Sequence, residues 1–171
     1  DQSRCDEEEP HFYGIASDGV IGGSGEGLIL VGEFGTVLSS KDSGSSWKPI
    51  ECPYAGTLFG ALVATTGEWF IFGLRGNIFS SSDQGKTWQA LESHTEASLF
   101  SSARHEDGTI TLVGSEGVLL HRDSASSSFS RIEVPGRPLL SAVLLMQDGR
   151  EILIGQGGVR GVNIPSAEGN R

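Results

Sequence analysis

The sequence predicts an all-β chain made of β-propeller blades, each of four short antiparallel strands, and three observations predict it. The stretch Gly73 to Trp88, GLRGNIFSSSDQGKTW, recurs 41 residues upstream as Gly32 to Trp47, GEFGTVLSSKDSGSSW, and 41 residues downstream as Gly114 to Phe129, GSEGVLLHRDSASSSF; a fourth copy starts at Gly155 and Gly158. Thr66-Gly67, Asp107-Gly108 and Asp148-Gly149 keep the same spacing between short β-rich runs, and an X-Gly pair there is a hairpin signal because glycine accepts positive φ without steric cost. No useful length of chain shows helical periodicity. Four strands in about 40 residues, repeated in tandem, is the arithmetic of a propeller blade. A two-sheet sandwich gives no reason for turns at constant spacing.

The elements follow in order. An acidic lead-in, residues 1–10, carries three consecutive glutamates before Pro10 and reads as solvated chain. The first blade, 11–52, opens with Phe12 to Ala16, crosses the glycine-rich GGSGEG stretch and continues with Leu28 to Val31. The second, 53–93, has Leu58 to Ala64, Trp69 to Phe72 and Asn77 to Ser80; the third, 94–134, has Leu99 to Ala103 and Ile110 to Val113. Fourth strands begin at Trp47, Trp88 and Phe129. The last blade, 135–165, has Leu139 to Leu145, Ile152 to Ile154 and a third strand near Val159 to Ile164, then a tail, 166–171, with no fourth strand. Its unpaired edge and the apolar side of Phe12 to Ala16 are expected to be open surfaces, which proteins normally pair or cover.

A net charge of −10 over 171 residues argues against a nucleic-acid partner, which needs clustered Lys and Arg. No apolar run is long enough for a membrane span. Cys5 and Cys52 fall in loops and fit either a disulfide or two unrelated thiols. The four histidines lack metal-ligand spacing, and each Asp turn offers one carboxylate where a hard cation gathers several oxygens, so neither a metal nor a cofactor is expected. GGSGEG is followed by no helix that could offer its N-terminal amides to a phosphate, and reads as a hairpin tip.

SSKDSGSSW and SSSDQGKTW resemble the Asp-box, Ser-x-Asp-x-Gly-x-Thr-Trp, of the bacterial neuraminidase repeat (BNR) propellers. The residues themselves have a turn logic: Asp42 and Asp83 can accept backbone N–H groups ahead of them, Gly44 and Gly85 supply a left-handed turn residue, and Trp47 and Trp88 cover the hairpin. Ser40 and Ser81 complete the box. From His11 to Pro165 the phrasing FGLRGNIFSSSDQGKTW and GQGGVRGVNIP also looks like the C-terminal part of the photosystem II stability/assembly-factor-like propellers of bacteria. That likeness implies a ring of about seven blades, a non-enzymatic interaction or assembly scaffold with a protein client, and export to the periplasm or cell envelope. With four copies of the repeat, the chain is expected to be a partial propeller that pairs with missing blades or with another copy of itself.

Asp-boxes also occur in sialidases, so the rival reading is a sialidase-like glycoside hydrolase or a glycan-binding propeller. Sialidase chemistry needs an arginine cluster and a Tyr/Glu nucleophile pair to meet oxocarbenium charge. Here the arginines are scattered over repeat positions, and Tyr13 and Tyr54, 41 apart, read as equivalent packing positions. No catalytic residue is assigned and no enzyme is expected. Function on a rigid scaffold sits on loops. The Gly-x-x-Gly turns and the connections between repeats should share one face, opposite the Asp turns. Its candidate binding residues are Glu33, Phe34, Leu74, Arg75, Glu116 and Arg160 from the turns and Tyr54, His94 and Arg137 from the connections.

Overall fold

Short apolar runs punctuated by glycine turns form strands throughout the residues that the computed structural model describes, 9–17, 27–124 and 128–162. The first sheet holds β1 (Phe12–Ser17), β2 (Leu28–Gly32), β3 (Val37–Ser40) and β4 (Lys48–Pro49). The second holds β5 (Leu58–Val63), β6 (Trp69–Gly73), β7 (Ile78–Ser81) and β8 (Gln89–Leu91). The third holds β9 (Leu99–Arg104), β10 (Ile110–Gly114), β11 (Val118–Arg122) and β12 (Ser130–Glu133). The last is a three-stranded sheet of β13 (Leu140–Leu145), β14 (Glu151–Gly155) and β15 (Gly158–Val162). Every pairing is antiparallel and every strand pairs with its neighbour in sequence. The architecture is that of propeller blades, with the innermost strands β1, β5, β9 and β13 packed in succession.

The first hairpin turns of the second, third and fourth blades repeat one backbone geometry. Gly67, Gly108 and Gly149 take φ of 84°, 89° and 82°, and their N–H groups donate to the carbonyls of Ala64, His105 and Met146 at 2.9, 3.1 and 3.0 Å. The corresponding turn of the first blade, including most of GGSGEG, lies outside the described residues, as do Cys5, residues 125–127 of the third Asp-type turn and residues 163–171. Cys52 packs half-buried against the first junction, and burial raises its thiol pKa.

Three apolar clusters lie between successive blades. Ile29, Val31 and Val37 meet Leu58, Trp69 and Ile71; Phe70, Phe72 and Ile78 meet Leu99, Ile110 and Leu112; Val113 and Leu119 meet Leu140, Val143 and Leu153. Burying one such side chain stabilises by about 1.5–3 kcal/mol. Trp88 packs back onto the first of these clusters and donates its indole N–H to the Glu51 carbonyl at 3.1 Å. Phe129, its counterpart, is buried edge-on against Phe70, with ring centroids 6.4 Å apart. The aromatic at the start of a fourth strand thus tethers its blade to the one before.

Two sequence expectations are corrected by register. Tyr13 and Tyr54 are not equivalent: Tyr13 lies in β1 and Tyr54 in the β4–β5 connection. The longer first hairpin makes Gly14, opposite Val31, the counterpart of Gly60, opposite Phe72, a spacing of 46 residues. The fourth blade also has a shorter second turn. Gly155 pairs directly with Gly158 across Gln156 and Gly157, whereas Val113 pairs with Leu119 across a longer turn. One residue fewer slips the register of β15 by one and exchanges its faces. Arg160 therefore sits within β15 opposite Leu153, inside the strand expected near Val159 to Ile164 and not among the turn residues.

Candidate functional site

Antiparallel pairing puts the β2–β3 turn and the β4–β5 connection at one end of the sheets and the β1–β2 and β3–β4 turns at the other. At the second end are the Ser-x-Asp-x-Gly turns. Asp42 accepts the Ser46 N–H at 2.8 Å, the Ser46 hydroxyl at 2.6 Å and the Ser40 hydroxyl at 2.7 Å, while the Gly44 N–H donates to Ser40 Oγ at 2.9 Å. Asp83 repeats this with Thr87 and Ser81, and the Gly85 N–H donates to Ser81 Oγ at 2.8 Å. The Ser46 hydroxyl and N–H hold the Asp42 pKa down to about 2, and the Thr87 N–H and hydroxyl hold Asp83 at about 2. Both carboxylates are engaged within their own turns. Gly44 and Gly85 carry φ of 84° and 81°, and Trp47 packs half-buried beside Gly44.

The first end is built from a single device. Glu33, Leu74, Ser115 and Gln156 each donate a backbone N–H, at 2.8–3.0 Å, to the carbonyl at the entry of the innermost strand, His11, Thr57, Ser98 and Leu139. In the first three turns the closing glycine lies against the inter-blade connection: a Cβ on Gly35 would stand 1.9 Å from the Tyr54 carbonyl oxygen, and one on Gly76 2.1 Å from that of Thr95. That contact holds these three turn tips in place, whereas Gly158 of the fourth blade has open space around it. The residues at the tips, Phe34, Arg75 and Glu116, take φ of 55°, 57° and 55°, and His94 and Arg137 in the connections take 54° and 45°. Left-handed backbone is uncommon for such side chains and is favoured by glycine. Five of the nine candidate face residues are thus presented on left-handed backbone.

The nine do not form one set. Glu33 accepts the His11 N–H and Nδ1 and the Tyr13 hydroxyl at 3.0, 2.8 and 3.0 Å, bonds that lower its pKa, the His11 N–H most, so it anchors β1. Tyr54 is half-buried and its hydroxyl donates to the Leu74 carbonyl at 3.3 Å. Glu116 and Arg137 pair with each other at 3.2 Å in solvent. Leu74 is half-buried. Arg160, in β15, reaches the Pro135 carbonyl at 3.5 Å. Phe34, 59% exposed, and the exposed Arg75 and His94 remain, and among the described residues Arg75 and His94 have no hydrogen-bond or ion-pair partner.

One polar feature escaped the sequence reading. Glu151 is fully buried between the third and fourth blades and bonds His105 Nε2 at 2.6 Å. Its second oxygen, Thr111 Oγ1 and His121 Nδ1 are the buried side-chain atoms without a hydrogen-bond partner among the described residues. His105 also lines a cleft of about 620 Å³ with Asp107, Leu145, Met146 and Gly149. The signal was present in the repeat: Leu28, Trp69, Ile110 and Glu151 share one position, and the fourth member is charged. No group of three or more metal-ligating side chains occurs among the described residues.

Comparison places the fold among β-propellers. No family model matches the sequence, and no curated protein does. Among solved structures, YCF48 bound to D1 peptide is 22% identical over 92% of this chain, with a TM-score of 0.67. Virginiamycin B lyase from Staphylococcus aureus is 12% identical over 91%, TM-score 0.68, and an ancestral GH74 enzyme 14% identical over 80%, TM-score 0.67. The chain spans 50% of the YCF48 chain, 56% of the lyase and 21% of the GH74 enzyme. The expectation that the chain is not an enzyme is corrected by these neighbours. Blades of this kind occur in a lyase and a GH74 enzyme, so the scatter of the arginines over repeat positions is no argument against catalysis. At such identities the likeness concerns the fold and confers no activity.

Proposed function

We propose that the face carrying Phe34, Arg75 and His94 binds a segment of a protein client, and that the chain acts as an interaction or assembly scaffold whose Ser-x-Asp-x-Gly turns are Asp-boxes. The observation that carries this reading is the left-handed backbone under those three exposed side chains. Glycine would relieve the conformational cost at each, yet a phenyl ring, a guanidinium and an imidazole stand there, and residues held in sparsely populated backbone regions cluster at binding and switch sites. An apolar ring and a guanidinium presented at the same end of neighbouring blades suit a peptide with an apolar anchor and a carboxylate. YCF48, an assembly factor of similar fold, holds a peptide of D1.

Glycine substitution separates binding from folding, because it removes the side chain and suits the backbone. Phe34→Gly and Arg75→Gly should keep or raise the denaturation midpoint. Peptides enriched by the wild-type chain from a random library displayed on phage should bind each variant at least tenfold more weakly. Equal binding to both variants, or no enrichment by the wild type, would remove the face from consideration.

A further inference from the structure

Every junction between blades is built from two matched half-faces. On the second strand of a blade alternate side chains point to opposite sides. Ile29 and Val31, Phe70 and Phe72, and Thr111 and Val113 face the following blade; Trp69 and Ile71, Ile110 and Leu112, and Glu151 and Leu153 face the preceding one. Among the described residues, the first and fourth sheets each leave one half-face without a neighbouring sheet. On the first, Leu28 and Leu30 hold the positions of Trp69 and Ile71 but are only partly buried, and Ile15, the counterpart of Ala61, is 60% exposed. On the fourth, Ile154 holds the position of Phe72 and Val113; it is 38% exposed where they are 0%, with Val159 opposite it at 68% and Leu144 at 57%.

We propose that the open half-face of the first sheet docks onto the open half-face of the fourth sheet of a second copy of this chain. The three internal junctions show what covers such a half-face: its counterpart on an adjacent blade. Each copy carries both counterparts, one at either end of the series. The pairing would set Leu28 of one copy against Ile152 of the other, an apolar match where the third junction has Thr111 and Glu151. A head-to-tail contact closes into a ring or runs on as a filament according to its rotation. Two copies of four sheets joined at both ends give eight blades, inside the range of about four to eight found in closed propellers. The dimer is therefore a closed pair that buries all four exposed half-faces.

Light scattering coupled to size-exclusion chromatography of the 171-residue chain should show a dimer at micromolar concentration. Ile15→Asp and Leu144→Lys should each be monomeric with the wild-type circular dichroism spectrum, since both positions are largely exposed. Mixed in equal amounts, they should form a one-to-one dimer, because the only damaged junction then sets an aspartate against a lysine while the other is intact. A monomeric wild type overturns the proposal. So does a dimer that survives both substitutions, or a mixture that stays monomeric.

Discussion

Asp42 and Asp83 are solvent-accessible, yet each accepts three hydrogen bonds within its own turn, and their pKa of about 2 measures how strongly the folded turn prefers the carboxylate. A depressed folded-state pKa contributes stability that is present above the unfolded value and lost as pH falls through the folded one. The turns should therefore weaken between about pH 4 and about pH 2, with water screening keeping the effect modest. Asp107 and Asp148 have lowered pKa values too, through the Thr109 N–H and the Arg150 side chain respectively, so the whole-protein curve sums several groups. Comparison with Asp83→Asn isolates one. The urea midpoint of the wild type should fall more steeply than that of the variant across this window, and parallel curves would mean that the Asp83 carboxylate has no special tie to the fold. What the sequence could not display at this scale is backbone sign. Gly44 and Gly85 announce positive φ, but Phe34, Arg75 and Glu116 adopt it because the glycine after each, pressed against the inter-blade connection, fixes the turn.

At the scale of strands and junctions the sequence was legible wherever a repeat kept its length. Strands β5 to β12 fall where the 41-residue spacing puts them, since each blade reuses the same turn chemistry and the same alternation of buried positions. The reading failed where one turn gained or lost residues. A longer first hairpin undid the equivalence of Tyr13 with Tyr54, and a two-residue turn at Gln156 and Gly157 moved Arg160 into a strand. The His105–Glu151 pair was hidden for a related reason, because a charge at a buried position is visible only after the blades are superimposed. Junctions also differ in what they bury. Phe70 is fully buried in the second, edge-on to Phe129 and 5.0 Å beneath the Arg122 guanidinium, which also pairs with Glu68 at 3.3 Å. Phe70→Ala should cost about 3–5 kcal/mol, the range for deleting a buried aromatic, read from chemical denaturation. A loss below about 1 kcal/mol would show that the second and third blades are held mainly by their polar contacts.

Among the described residues the four sheets form a series in which the second and third have a neighbour on both sides and the first and fourth on one. Stability in such a series is close to a sum of blade terms and junction terms, so an end blade opens for the loss of a single junction. The two ends are not equal. The first junction is an apolar cluster sealed by Trp88, whereas the third has Thr111 facing Glu151, with His121 opposite Thr111 across the sheet, and leaves a polar atom on each of the three without a partner among the described residues. A buried polar group in that condition costs about 1–3 kcal/mol, which weakens the third junction relative to the first. The fourth sheet also has three described strands where the others have four. In the Leu144→Lys chain, whose ends stay open, hydrogen exchange should therefore be graded: β13 to β15 exchange first, β1 and β2 next, and β6, β7, β10 and β11 last. Thr111→Val, which keeps the shape and replaces an unpartnered hydroxyl with a methyl, should slow exchange in β13 to β15 and leave β1 and β2 unchanged. Uniform exchange at one rate in all four sheets would mean that the blades open as a single cooperative unit, with the strength of individual junctions of no consequence.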